Sequence, residues 1–117
     1  MLYVLRNTSM SFVYIVRCSD NTLYTGWAVD VAARVKAHNA GRGAKYTRTR
    51  LPVKLVYSEE LPTRAEAMKR ERQIKRYPRA RKMELCQRMK QIKRMKRHIH
   101  RRSPSIPSVH SGDPNAL

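Results

Sequence analysis

The sequence predicts a compact α/β domain in which a small, largely antiparallel, three-stranded sheet is flanked by helices. Two runs rich in β-branched and aromatic residues, 12–17 and 23–27, are separated by Ser-Asp-Asn, which favours a tight turn, so they predict a hairpin. A third such run, 53–58, follows Pro52 and predicts the remaining strand. A chain of 117 residues is the right size for one domain of this kind.

The first helix is predicted between the hairpin and the third strand. It should begin after Asp30, a residue type that caps helices, and run to about Asn39. The Gly-Arg-Gly sequence at 41–43 ends this helix and leads into a segment, 45–50, that is predicted to be a basic loop.

A second helix is predicted to begin at Thr63, because Thr63 and Glu66 have the spacing of a capping box. It should run to about Tyr77, since Pro78 cannot continue it. A third helix is predicted over 79–98. Its apolar residues recur at helical spacing and form one stripe: Leu85, Met89, Ile92 and Ile99.

Composition divides the chain into a folded domain over 11–80, a basic helix over 81–102 and a tail over 103–117. The tail is rich in Pro, Ser and Gly and is predicted to be disordered. The recognisable pattern begins just after Met10, which is therefore a candidate start of the protein.

The net charge of +18, from 26 Lys+Arg and 8 Asp+Glu, predicts a polyanionic partner. Nucleic acid is the expected partner, DNA before RNA, and anionic lipid is the weaker alternative. No apolar run approaches the roughly 20 residues that span a bilayer, so no membrane segment is expected. The two cysteines, Cys18 and Cys86, lie far apart without metal-like spacing, which favours a reducing cytoplasm, with the nucleoid as the site if the partner is DNA.

Glu71 places a carboxylate on an apolar helix face. It lies four residues after Ala67 and three before Ile74, and both of these, together with Met68, are predicted to face the core. A carboxylate in that position is costly unless it is paired, hydrogen-bonded or bound to a metal. On this observation alone, a salt bridge to an arginine or a rotated helix that exposes Glu71 explains it better than a metal does.

Arg34 and His38 are separated by four residues, so they share one face of the first helix. Arginine suits a phosphate because its planar guanidinium donates two hydrogen bonds and stays charged. Histidine can donate to a phosphate oxygen or transfer a proton near neutral pH. For such a pair alone, a solvated helix face is nevertheless the better explanation, unless the pair points toward the tyrosines.

Tyr14 and Tyr24 lie on the two strands of the hairpin, where a tyrosine ordinarily serves packing. Gly26 follows Tyr24 closely, and a glycine within a strand often marks the close approach of another group. A phenol near a metal or a guanidinium can lose its proton and act as a base. The segment after the first helix is explained equally by a simple solvated loop and by a nucleic-acid contact, in which basic side chains bind a backbone and an aromatic stacks on a base: Arg42, Lys45, Tyr46, Arg48 and Arg50.

Taken together, residues 11–80 resemble the GIY-YIG endonuclease superfamily, and within it the small single-domain bacterial group of UPF0213-like proteins. The strings that carry the resemblance are Val-Tyr-Ile, Leu-Tyr-Thr-Gly, His-Asn-Ala-Gly, Ala-Lys-Tyr-Thr, Pro-Val-Lys-Leu-Val-Tyr and Arg-Glu-Arg-Gln-Ile-Lys. The first motif reads Phe-Val-Tyr without its glycine, and the second has Thr25 where isoleucine is typical, but both tyrosines and Gly26 are present.

The resemblance implies metal-dependent phosphodiester hydrolysis of DNA, in repair or recombination, without a small-molecule cofactor. Tyr14 or Tyr24 would activate the nucleophile, Arg34 would stabilise charge on the phosphate, and His38 would assist by hydrogen bonding or proton transfer. Glu71 would hold one Mg²⁺ or Mn²⁺ whose other ligands are water and phosphate. Because no separate recognition domain is evident, cleavage should be selective for nucleic-acid structure, or only weakly selective.

Two other functions remain open on the sequence. The chain could be a non-catalytic nucleic-acid-binding protein that retains the nuclease fold, or a basic protein associated with RNA or the ribosome. Binding that is insensitive to Glu71→Ala would indicate the first, and preference for RNA over branched DNA would indicate the second.

Overall fold

The protein, represented by a computed structural model, is described over residues 10–102, with side chains described to residue 97. In chain order its elements are β1 (Ser11–Arg17), β2 (Leu23–Ala28), α1 (Val31–Asn39), α2 (Lys45–Arg48), β3 (Lys54–Leu61), α3 (Arg64–Lys75) and α4 (Arg79–Arg102). The three strands form one antiparallel sheet in the order β2–β1–β3. The predicted α/β class, a small antiparallel sheet flanked by helices, is therefore confirmed.

The register of the hairpin decides which side chains share a face of the sheet. Tyr14 is paired with Gly26, and Val16 is paired with Tyr24. Because directly opposite residues of antiparallel strands point to the same side, Tyr14 and Tyr24 lie diagonally on one face. Asn21 takes the left-handed conformation with φ 71° in the turn, as its residue type allows.

The sheet is covered on both faces. The face that carries Tyr14 packs against α1, and its buried core consists of Tyr14, Val16, Cys18, Ala28 and Val53. The opposite face packs against α3 and α4, and its buried core consists of Val13, Ile15, Tyr57, Ala67, Ile74 and Leu85. Two small cores on one central strand position the helices that surround it.

Helix α1 is held at both ends. The Asp30 carboxylate accepts the Ala33 N–H at 3.0 Å, which confirms the predicted N-cap. At the other end the Asn39 amide donates to the Val53 carbonyl oxygen at 3.0 Å and accepts the Val53 N–H at 2.7 Å. This double hydrogen bond fixes the last turn of α1, where His38 lies, against the chain that enters β3.

The prediction that 45–50 is an irregular loop was wrong, because Lys45–Arg48 forms the single helical turn α2. Thr47 is fully buried, and its hydroxyl donates to the Ala44 carbonyl oxygen at 3.0 Å. The threonines and basic residues of the segment are typical of a loop, but Thr47 is buried and hydrogen-bonded to His38 of α1, which holds the turn in place.

Helix α3 begins where the capping box predicted, since the Thr63 hydroxyl accepts the Glu66 N–H at 3.1 Å. It ends at Lys75, two residues before the predicted end. The expectation that Met68 faces the core was wrong, because Met68 is 39% exposed while Ala67 and Ile74 are fully buried. The buried line runs through positions 67 and 74, and Met68 is turned away from it by about 100°.

The third strand, Lys54–Leu61, is longer than predicted because it pairs with the whole of β1, from Arg17 to Ser11. Helix α4 is also longer than the predicted 79–98. Its apolar stripe packs only in part: Leu85 is buried and Met89 is partly buried, but Ile92 is 47% exposed. The apolar stripe is therefore covered only as far as Met89, and the side chain of Ile99 lies outside the described residues.

The division of the chain near residue 80 stays a prediction, and the tail 103–117 and the residues before Met10 lie outside the described residues. In the part of the chain that the structure describes, no helix combines the length and the apolar character needed to cross a bilayer.

Candidate active site

Tyr14 and His38 form a buried hydrogen bond at the centre of the Tyr14 face. The distance from the Tyr14 hydroxyl to Nε2 of His38 is 2.8 Å, and each residue is 1% exposed. Tyr14 comes from the central strand and His38 from the last turn of α1. For His38, this hydrogen bond excludes a solvated helix face, because the imidazole points at a tyrosine and not at solvent.

A second hydrogen bond orients the imidazole. Nδ1 of His38 lies 2.8 Å from the Thr47 hydroxyl, and that hydroxyl donates its proton to the Ala44 carbonyl oxygen. Nδ1–H therefore donates to Thr47, which leaves Nε2 free to accept the Tyr14 proton. The Ala44 N–H also approaches Nδ1, but at 3.4 Å it is the weaker contact, and the Thr47 hydroxyl, whose own proton goes to the Ala44 carbonyl oxygen, can only accept from the imidazole.

Two glycines make room for these side chains. A Cβ on Gly26 would lie 2.5 Å from the Tyr14 hydroxyl oxygen and 2.7 Å from Cζ, so the phenol crosses the bare backbone of its partner strand. A Cβ on Gly43 would lie 2.6 Å from Cγ of His38 and 2.7 Å from Cε1. The close approach predicted at Gly26 is confirmed, whereas Gly43 and Thr47 were missed by sequence reasoning.

The environment keeps both groups of the pair neutral near pH 7. Burial, together with the neighbouring Tyr24, raises the pKa of Tyr14 to about 12; Arg34 acts in the opposite direction and Glu71 adds to the rise. Burial lowers the pKa of His38 below its ordinary 6.5, and the positive charge of Arg34 lowers it further. A neutral imidazole next to a protonated phenol can accept that phenol's proton.

The second tyrosine of the hairpin borders the same centre. The Tyr24 ring packs edge-on against His38, with centroids 5.5 Å apart, and stacks on Tyr46 at 6.0 Å with an angle of 17°. The Lys75 ammonium lies 5.9 Å from the centroid of Tyr24. Tyr24 is only partly buried, so it lies between the buried pair and the surface.

Glu71 lies on α3 between the buried Ala67 and Ile74, as predicted, and its side chain is 17% exposed. It pairs with Lys75 in an ion pair of 3.4 Å, and not with an arginine. Lys75 is 48% exposed, so it compensates a half-buried carboxylate only weakly. Glu71 acts on Tyr14 through its charge, as does the exposed Arg34, so both belong to the surroundings of the phenol.

Within the described residues, no group of three or more His, Cys, Asp or Glu could hold a metal ion. A zinc site, which needs three or four protein ligands, does not fit this donor set. A hard divalent cation fits it, because Mg²⁺ keeps most of its water and is bound through one or two carboxylates together with substrate phosphate. Glu71 is the residue that would hold it.

The basic segment next to the site has two kinds of residue. Arg42, Lys45 and Arg48 are exposed. Arg50 instead pairs with the Asp20 carboxylate at 3.0 Å, donates to the Tyr46 carbonyl oxygen at 2.7 Å, and lies 3.9 Å from the centroid of the Tyr46 ring. The guanidinium of Arg50 thus joins α2 to the hairpin turn.

The fold and the Tyr14–His38 centre define a small α/β domain with a buried tyrosine–histidine pair on one face of its sheet. The chain matches the family model of the GIY-YIG catalytic domain over residues 10–84. A UPF0213 protein of Staphylococcus aureus is 61% identical over 74 residues, which cover 63% of this chain and 90% of that protein. The chain therefore belongs to the GIY-YIG family and, within it, to the UPF0213 proteins.

Two solved structures are also similar to this chain. The solution NMR structure of a UPF0213 protein from Bacillus halodurans is 43% identical, with a TM-score of 0.42, and covers 65% of this chain and 81% of its own. The solution NMR structure of a protein from E. faecalis is 34% identical, with a TM-score of 0.47, and covers 74% of this chain and 88% of its own.

Proposed function

We propose that the protein is a divalent-metal-dependent endonuclease that hydrolyses phosphodiester bonds in DNA and selects its substrate by nucleic-acid structure. The observation that carries the proposal is the hydrogen-bonded chain from Tyr14 through His38 to Thr47. Such a chain of hydrogen bonds can carry a proton, and it lies in a domain that matches a catalytic family.

Tyr14 and His38 act together as the base. As water attacks the phosphorus atom, the Tyr14 oxygen accepts the water proton while the Tyr14 hydroxyl proton moves to Nε2 of His38. The imidazolium that results is held by its Nδ1–H bond to Thr47. A phenol with a raised pKa does not ionise unaided at neutral pH, so the transfer to His38 is what makes Tyr14 a base.

Arg34 binds a non-bridging phosphate oxygen and stabilises the charge that accumulates in the transition state. Its side chain is exposed, and it lies close enough to Tyr14 for its positive charge to lower the pKa of that phenol. Glu71 would hold the Mg²⁺ or Mn²⁺. When bound, that ion would supply positive charge that polarises the phosphate and offsets charge on the leaving oxygen. Arg42, Lys45 and Arg48 are exposed and would contact flanking phosphates, whereas the Tyr46 ring already stacks on Tyr24 and lies under the Arg50 guanidinium.

The test is cleavage of labelled single-stranded, duplex and branched DNA with Mg²⁺ or Mn²⁺, using Glu71→Ala and Arg34→Ala. Both variants should lose cleavage by about a hundredfold or more, because each removes stabilisation of transition-state charge. Glu60→Ala and Arg88→Ala serve as matched controls, since both residues are exposed and neither is part of the site.

Three outcomes are informative. Loss in both site variants and with chelator, with both controls active, supports the nuclease. Equal cleavage by all five proteins indicates a contaminant. Absence of cleavage with retained binding favours the second candidate, a nucleic-acid-binding protein on a nuclease fold, for which the 11 Lys+Arg and single acidic residue of α4 are the specific support.

The pH dependence of cleavage follows from the lowered pKa of His38. Only neutral His38 can accept the Tyr14 proton, so activity should be full above the ordinary histidine value of 6.5 and should fall only at a lower pH, as the imidazole becomes protonated. The measurement is kcat/KM from about pH 4.5 to about pH 8, because this interval covers roughly the range over which histidines titrate in proteins. A midpoint at or above 6.5 would contradict a buried neutral His38 in the free enzyme.

A further inference from the structure

A groove between α4 and β3 carries a concentration of positive charge. It lies at the β3 edge of the sheet, whereas Tyr24 of the candidate active site lies on β2, the opposite edge strand. Four cations line it: Arg17, Lys54, Lys90 and Lys93. No carboxylate is among the described residues that line the groove. The ion pairs of the described residues involve none of these four cations.

The strand register makes this concentration of charge unfavourable for folding. Arg17 and Lys54 are direct cross-strand partners, and like charges in that position repel each other. Lys90 and Lys93 face them from α4, one helical turn apart. Their mutual repulsion is relieved when a polyanion lies between them.

The groove has an apolar floor beneath its basic rim. Leu55 and Met83 are partly buried there, and the cavity volume is about 270 Å³. A sugar–phosphate backbone matches this arrangement, since its phosphates meet the cations while its deoxyribose faces the apolar floor. The same sign of charge continues along α4, which favours an extended polyanion over a small anion.

We propose that this groove binds the sugar–phosphate backbone of a nucleic acid at a surface separate from the Tyr14–His38 centre. The proposal goes beyond the nuclease activity, because binding here needs no cleavage. The match to the GIY-YIG catalytic domain ends at Glu84, so Lys90 and Lys93 belong to a part of α4 that lies outside it. In this chain α4 completes the groove and supplies a contact outside the matched catalytic domain.

The native protein contains a probe for this contact. Cys86 lines the groove and is partly buried, whereas Cys18 is 4% exposed and lies in the other core. Alkylation by N-ethylmaleimide, followed by peptide mass spectrometry, is measured with chelator present and with increasing duplex DNA. At ten times the Kd, DNA should slow alkylation of Cys86 about tenfold, because only the unbound fraction reacts. Alkylation of Cys18 should not change.

Two outcomes of this measurement overturn the proposal. One is alkylation of Cys86 at an unchanged rate when the protein is saturated with DNA. The other is protection by vesicles containing phosphatidylglycerol but not by DNA, which would assign the groove to a lipid surface. Because chelator is present throughout, failure of the nuclease proposal does not affect the result.

Charge variants give a second test. Lys90→Gln with Lys93→Gln should reduce the slope of log Kobs against log salt by about two, one for each lost phosphate contact. Arg88→Gln with Lys96→Gln changes the net charge equally on exposed residues that do not line the groove, and should change the slope by less than half as much. Equal changes of slope in the two double variants would show that the overall positive charge of α4 binds DNA and that the groove is not a distinct site. Circular dichroism checks that α4 is retained.

Discussion

Replacing Tyr14 with phenylalanine should reduce the cleavage rate by about 10²- to 10⁴-fold, the range that a positioned acid or base contributes. The variant keeps the ring that fills the core of the α1 face and removes only the hydroxyl that reaches His38. DNA binding should be unchanged, because Tyr14 is buried and carries no charge. The loss should therefore appear in kcat and not in KM.

The matched control for this variant is Tyr57→Phe. Tyr57 is also buried and also donates a hydrogen bond, to Glu59, but it lies in the core on the opposite face of the sheet. Each variant loses one buried hydroxyl, and each is expected to lose about 1–3 kcal/mol of stability as its partner loses a hydrogen bond. If Tyr14→Phe retained cleavage within tenfold of Tyr57→Phe, Tyr14 would have only a packing role.

The strand pairing at the site could be predicted because it depends on local signals. The Ser-Asp-Asn turn fixes the hairpin register, and the register sets Tyr14 opposite Gly26 and diagonal to Tyr24. The i,i+4 spacing of Arg34 and His38 likewise follows from helix geometry alone. These relations hold whatever packs around them.

The contacts that orient His38 could not be predicted, because they join α1 to other elements of the fold, and no local sequence signal relates those elements. Thr47 reads as an ordinary polar residue of a loop, and it gains its role only when α2 folds against the last turn of α1. Gly43 reads as a helix terminator. Its lack of a Cβ matters because the imidazole occupies that space, which depends on the orientation of His38 toward Tyr14.

Periodicity also gave the wrong extent for two apolar faces. On α3 it identified Ala67 and Ile74 but added Met68, since a spacing rule does not fix the rotation of a helix to within one residue. On α4 it continued the stripe through Ile92, which is 47% exposed. The sequence shows which residues are apolar, and only the packing of the helix on the sheet decides which of them are covered.

Gly43→Ala should reduce cleavage by about a hundredfold or more, although residue 43 touches no substrate in the proposed mechanism. An added methyl would overlap the imidazole, so either His38 or the segment after α1 must move. Overpacking of this kind costs about 1–3 kcal/mol of stability. Any movement of His38 also breaks its bonds to Tyr14 or Thr47, and with them the proton path.

Gly41→Ala is the matched control, since it adds the same methyl two residues earlier. Gly41 has φ +81°, and no atom lies within 4 Å of the position that a Cβ would take. Alanine there should cost about 1–2 kcal/mol through backbone strain and leave the His38 contacts intact.

Stability is measured by urea unfolding, and activity is measured well below the melting temperature of both variants. Similar losses of stability with cleavage lost only in Gly43→Ala would locate the defect at His38. Parallel losses of cleavage in the two variants would instead mean that the segment after α1 acts through its backbone, and the imidazole contact would not be the cause.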